Sequence, residues 1–254
     1  MQSLTEMPVF HGSRTDMPWH MYEPEQATGG NTLLPLIVSL HGGYGREGDD
    51  YHITQDGAPY MLASSTGLLL PENREKYPTY IIFPHCVESV CPFYGNEWAS
   101  GGGAFFNVQQ DPSENGSAMI ELIEHVMSEY PIDPARVYVT GVSMGGGGTW
   151  EMVMRRPDLV AAAIPMAGHT PNLQQITELG ETKVPIWAHI SSTDYNNPGS
   201  DTKQAIEAIN NAGGCAWYTE YENIEHSHKL WQRSFLNPDV WPWLFAQSQP
   251  RADD

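Results

Sequence analysis

Cationic residues are scarce in this chain. Its 254 residues hold 12 Lys and Arg against 31 Asp and Glu, a formal net charge of −19 with the histidines neutral. That surplus repels phosphate backbones and anionic lipid, so no nucleic acid and no membrane is expected as a partner. Cysteine is scarce too, at 3 residues. With neither Cys-x-x-Cys nor His-x-x-x-His spacing present, no metal and no cofactor is expected. Long hydrophobic runs are missing, and none approaches the length of a membrane span. The N-terminus has no basic stretch leading into an apolar one, so no secretory signal is expected there and the compartment is left open. What remains is ordinary soluble composition, 40% hydrophobic and 17% charged, of a length that suits one large α/β domain over residues 1–254. Cys86 and Cys91 lie close together in a proline-flanked loop. They read either as a bridge, suited to an oxidising compartment, or as two thiols. Cys215 opens an apolar segment and reads as a core residue.

Short apolar runs recur along the chain: Leu36–Leu40, Tyr80–Phe83, Val137–Val139, Ala161–Ile164, Pro185–Ala188 and Ala216–Thr219. Runs without polar alternation are what a parallel sheet covered on both faces requires. Between them lie helical patterns. Met119, Ile120, Ile123, Val126 and Met127 keep helical spacing before Pro131, and Ala205, Ile206, Ala208 and Ile209 keep it before Gly213-Gly214. Strands alternating with helices predict a mostly parallel, doubly wound sheet with helices on both faces. The alternating segment around Trp19–Tyr22 predicts antiparallel edge strands. Residues 111–117 and 191–200 read as loops by composition.

Directly after the run Val137–Thr140 comes Gly141-Val142-Ser143-Met144-Gly145, followed by Thr149, Trp150, Met152, Val153 and Met154 at helix-like spacing. A Gly-x-Ser-x-Gly between a strand and a helix is the nucleophile elbow of the α/β-hydrolase fold. The turn is so tight that residues two before and two after the serine must lack side chains. The competing reading is a glycine-rich surface turn.

In that fold the partners follow in the order Ser, acid, His, each on a loop at a strand's C-terminal end. Asp194 follows the strand starting at Pro185, and His226 follows the strand starting at Ala216. A serine hydroxyl is a poor nucleophile until an imidazole takes its proton, and a carboxylate must hold that imidazole in the right tautomer. The catalytic candidates are therefore Ser143, Asp194 and His226. Asp201 reads better as a helix N-cap, and His228 is the alternative base. His189 reads as a core or supporting residue and His169 as a surface one, with the cleft as its alternative place. Glu97 and Glu225 read as solvated. An oxyanion hole needs backbone N–H groups. Met144 supplies one, and the loop His41-Gly42-Gly43-Tyr44-Gly45 supplies the other, from Gly43 or from Tyr44. Tyr44 is also a candidate substrate contact. His41 reads as the residue that holds this loop by hydrogen bonds.

The loop from His41 to Asp50 resembles the His-Gly-x-Gly-x-x-Gly-Asp-Asp loop of bacterial "predicted peptidase" esterases, a group related to polyhydroxybutyrate depolymerases and feruloyl or acetylxylan esterases. Residues 132–146, Thr149-Trp150, Arg156-Pro157-Asp158, Ala212-Gly213-Gly214, Tyr218–Tyr221, His226 and the tryptophan-rich tail 238–247 are similar to it as well. The resemblance implies an α/β-hydrolase with Ser143, Asp194 and His226 as its triad, and Trp98 as a tryptophan lining the cleft. Gly147 departs from a position that is often aromatic, and residues 87–103 form an insertion unlike the group. The expected activity is serine carboxylic-ester hydrolysis through an acyl-enzyme, on small, aryl or polysaccharide-linked esters. A serine peptidase, a hydroxyalkanoate depolymerase, an acyltransferase and a non-catalytic binding module are the competing readings.

Overall fold

The structure is a computed structural model and describes residues 4–29, 32–43, 67–86, 111–170, 176 and 179–250. In chain order, the short strands β1 (Thr5–Glu6), β2 (Phe10–His11), β3 (Asp16–Met17) and β4 (Trp19–Tyr22) lead into β5 (Leu34–Leu40). Helix α1 (Pro71–Lys76), strand β6 (Tyr80–Pro84), helix α2 (Glu114–Glu129), strand β7 (Ile132–Val142) and helix α3 (Met144–Arg155) follow. The remainder runs β8 (Ala162–Met166), β9 (Ile186–Ser191), α4 (Gly199–Asn211), β10 (Ala216–Tyr221), α5 (His228–Phe235) and α6 (Val240–Phe245).

Eight strands form one sheet in the order β1-β4-β6-β5-β7-β8-β9-β10. Neighbours from β6 through β10 are parallel, while β4 and β1 add antiparallel strands at one edge, as the Trp19–Tyr22 pattern predicts. The absence of polar alternation in the central strands has a simple cause. Along β5, Leu36, Val38 and Leu40 enter one apolar layer while Ile37 enters the other. The first layer packs against Leu122, Ile123 and Val126 of α2, Trp150 and Val153 of α3, and Ile206 and Ile209 of α4. The second joins Ile81, Tyr138, Ile164 and Trp187 to Leu230, Trp231, Trp241 and Leu244 of α5 and α6. Apolar surface is thus removed from water on both sides, at about 25 cal/mol per Å². This is the α/β-hydrolase architecture expected from the sequence.

Three local expectations need correction. Residues 111–117 are not all loop: the Ser113 hydroxyl accepts from the Gly116 N–H at 2.9 Å, and α2 begins at Glu114. Composition conceals a serine that caps. Asp201 does not cap α4; Pro198 holds that position and Asp201 lies in the first turn. Cys215 is exposed rather than buried, because β10 is an edge strand whose residues after Ala216 are only partly covered.

Candidate active site

The elbow is built by close backbone contacts. A Cβ on Gly141 would lie 2.3 Å from the Gly145 carbonyl oxygen, and one on Gly145 would lie 2.2 Å from that of Leu40. No side chain fits at either place. Ser143 between them has φ 54° and ψ −115°, a left-handed conformation that costs a non-glycine residue about 1–3 kcal/mol. Its N–H donates to the Met166 carbonyl at 2.8 Å, which ties the turn to the end of β8.

The loops after β9 and β10 bring the other two candidates to this serine. His226 Nε2 lies 2.7 Å from Ser143 Oγ, and its Nδ1 lies 2.6 Å from Asp194 Oδ2. The Asp194 side chain is 0% exposed and that of His226 17%. Asp194 Oδ1 accepts the N–H groups of Asn196 and Asn197, both at 2.9 Å. A buried carboxylate so bonded is fixed in orientation, and it fixes the Nδ1–H tautomer that leaves Nε2 free to accept a proton. The rings of His226 and Trp231 also meet at nearly a right angle, with centroids 5.1 Å apart. The competing residues fall elsewhere. His228 is exposed at the first position of α5, and the Asp201 carboxylate accepts the Ser200 hydroxyl at 3.1 Å. Glu225 is exposed as expected, and Glu97 lies outside the described residues.

Met144 is the first residue of α3, so its N–H has no partner within the helix and points toward the positive end of the helix dipole. Across from it, the turn after β5 runs against the elbow: a Cβ on Gly42 would lie 3.6 Å from Ser143 Cβ, and one on Gly43 would meet nothing within 4 Å. His41 braces that turn as expected. Its Nδ1 lies 2.5 Å from the Gly42 carbonyl and its Nε2 accepts the Cys86 N–H at 3.0 Å. Tyr44, Trp98 and Cys91 lie outside the described residues, and with them the second oxyanion alternative, the cleft tryptophan and the Cys86–Cys91 pairing.

Two hydroxyls near the site escaped the sequence reading. The hydroxyls of Ser191, at the end of β9, and of Thr193, on the loop that carries Asp194, both donate to the carbonyl of Ile224, on the loop that carries His226; the Thr193 bond is 3.1 Å. A backbone carbonyl leaves no mark in sequence, so no signal could have found this clamp. His169 is half-buried rather than on the surface. Burial, followed by the field of His226, lowers its proton affinity below the ordinary histidine value. His189 is wholly buried, which pushes its pKa down to about 3, and its Nδ1 lies 3.1 Å from the Tyr221 hydroxyl. Among the described residues no group of three or more His, Cys, Asp or Glu could hold a metal ion, and no helix is long and apolar enough to cross a membrane.

Residues 88–238 match the model of the dienelactone hydrolase family. Among characterised proteins, the chain is 28% identical over 134 residues to a poly(3-hydroxyalkanoate) depolymerase C of Paucimonas lemoignei, covering 53% of this chain and 28% of that one. It is also 28% identical over 183 residues to a bis(hydroxyethyl) terephthalate hydrolase of Streptomyces coelicolor, covering 65% and 58% respectively. The chain therefore spans less than two thirds of either relative. The crystal structure of a thermostable esterase superposes with a TM-score of 0.79 at 26% identity, over 97% of this chain and 63% of that one.

Proposed function

The chain belongs to the dienelactone hydrolase family, and on that premise we propose that it is a serine carboxylic-ester hydrolase acting through an acyl-enzyme. The observation that carries this reading is the continuous contact from Asp194 Oδ2 through His226 to Ser143 Oγ, at 2.6 and 2.7 Å. Ser143 Oγ attacks the ester carbonyl carbon as its proton passes to His226 Nε2. Asp194 stabilises the imidazolium that results. The carbonyl oxygen becomes an oxyanion held by the Met144 and Gly43 N–H groups. Collapse breaks the bond to the alcohol, which leaves with the proton from His226. Water then attacks the acyl-Ser143 ester with His226 again as base, and releases the acid.

We read residues 1–254 as one domain that makes this site by itself, with an ester as its partner. The names of two relatives, a polyhydroxyalkanoate depolymerase and a terephthalate diester hydrolase, favour oxygen esters, polyester-type ones included, over peptides. An amide needs a better-placed proton for its poorer leaving group. Turnover of p-nitrophenyl acetate beside a peptide p-nitroanilide tests the reading. Ester cleavage that exceeds anilide cleavage by orders of magnitude is expected. Efficient anilide cleavage would make the chain a peptidase.

A further inference from the structure

His169 stands out because its imidazole is half-buried yet has no hydrogen-bond partner among the described residues. Its ring nitrogens are not among the side-chain atoms sealed from water without a partner, so the imidazole offers donor and acceptor positions that a ligand can meet.

Its position indicates which ligand. In the sheet order β5-β7-β8-β9-β10, the oxyanion turn follows β5, Ser143 follows β7, Asp194 follows β9 and His226 follows β10. His169 follows β8, between the nucleophile and the acid, on the side of Ser143 away from the oxyanion turn. The backbone that presents it is held from three directions. The Met166 carbonyl accepts the Ser143 N–H at 2.8 Å, and the Ala167 N–H donates to the His189 carbonyl at 2.9 Å. A Cβ on Gly168 would lie 2.2 Å from the Gly147 nitrogen of α3. Ala167, at φ 43°, turns the chain sharply there. A turn so anchored fixes the backbone that leads into His169 beside the elbow.

We propose that His169 is a specificity residue whose imidazole hydrogen-bonds a hydroxyl or second ester oxygen of the substrate, close to the scissile carbonyl. The preferred substrates are then hydroxyacyl or diester compounds rather than plain alkyl esters. Burial and then the field of His226, against the opposing fields of Asp194 and Asp201, lower its proton affinity below the ordinary histidine value. A neutral imidazole both donates and accepts. The assignment rests on the esterase reading of the same site.

Methyl 3-hydroxybutyrate and methyl butyrate differ by one hydroxyl, so the ratio of their kcat/KM values isolates the bond. Wild type should favour the hydroxyester. His169→Phe keeps a ring of similar shape without the nitrogens and should lower the ratio about tenfold, the worth of one neutral hydrogen bond. His169→Gln should recover part of it, and the exposed His228→Ala should leave it unchanged. Thermal melts check that each variant is folded. An unchanged ratio in a folded, esterolytic His169→Phe overturns the assignment alone. A wild-type protein that turns over p-nitrophenyl acetate but neither methyl ester also overturns the assignment alone, whereas one that cleaves none of the three removes the esterase reading and this assignment with it.

Discussion

At Ser143, geometry and chemistry make opposite demands on the backbone. The left-handed conformation that exposes the hydroxyl is unfavourable for any side chain, yet the close contacts of Gly141 and Gly145 leave no other path. Ser143→Ala keeps this backbone and loses only Oγ. Its melting temperature should stay near that of wild type while ester turnover falls on the order of 10⁴-fold or more. Substantial residual turnover by pure variant would remove the nucleophile assignment. His226→Ala should be nearly inactive and His228→Ala within about tenfold of wild type, because a positioned base is worth roughly 10²–10⁴-fold and an exposed imidazole outside the contact chain is not. Kinetics on p-nitrophenyl acetate would reveal the reverse. His189 makes a separate prediction, about stability. Folded, it takes a proton only near pH 3; unfolded, it does so near the ordinary value of 6.5. Between those values the unfolded state binds more protons, so its contribution to stability is present above the upper value and is lost as pH falls toward the lower. The slope is at most about 1.4 kcal/mol per pH unit for one proton. In urea melts, His189→Phe should show a shallower loss on acidification, and an identical pH dependence would contradict this.

Among the elements, the loops after β9 and β10 matter most, since they must register two side chains against each other to a fraction of an ångström. Ser191 and Thr193 join these loops through one carbonyl, that of Ile224, two residues before His226. The Ser192 N–H adds a bond to the Tyr221 carbonyl at 3.1 Å. Combining Ser191→Ala with Thr193→Val should loosen the His226 loop without altering where substrate binds. We expect kcat to fall by about tenfold or more with little change in KM, as misplacement by an ångström can cost far more. Thr193→Ser, which keeps the hydroxyl, should stay close to wild type. A rise in KM with kcat intact would show that these hydroxyls do something other than position the base.

For the whole molecule, the proposed chemistry needs only side chains and backbone amides. A chelator should leave ester turnover intact, and a serine-directed organophosphonate should inactivate the protein and add its mass at Ser143, detectable by peptide mass spectrometry. Chelator inhibition that zinc reverses, with no labelling, would favour a metal hydrolase instead. Much of this molecule is legible in its residues alone. The unbroken apolar runs demand a sheet covered on both faces, and the glycines flanking Ser143 demand a turn that only such residues can make. The chain order of Ser143, Asp194 and His226 follows from where the strands end. Those features are local, or repeat with a fixed period, so sequence records them. Sequence does not record contacts between distant segments. The Ser191 and Thr193 clamp depends on a carbonyl more than thirty residues away, which has no residue identity to read. The exposure of Cys215 depends on β10 lying at an edge of the sheet, and the burial of His169 depends on β8 lying between the strands that carry the nucleophile and the acid. Strand order and burial are properties of the packed whole, and only the tertiary structure decided them.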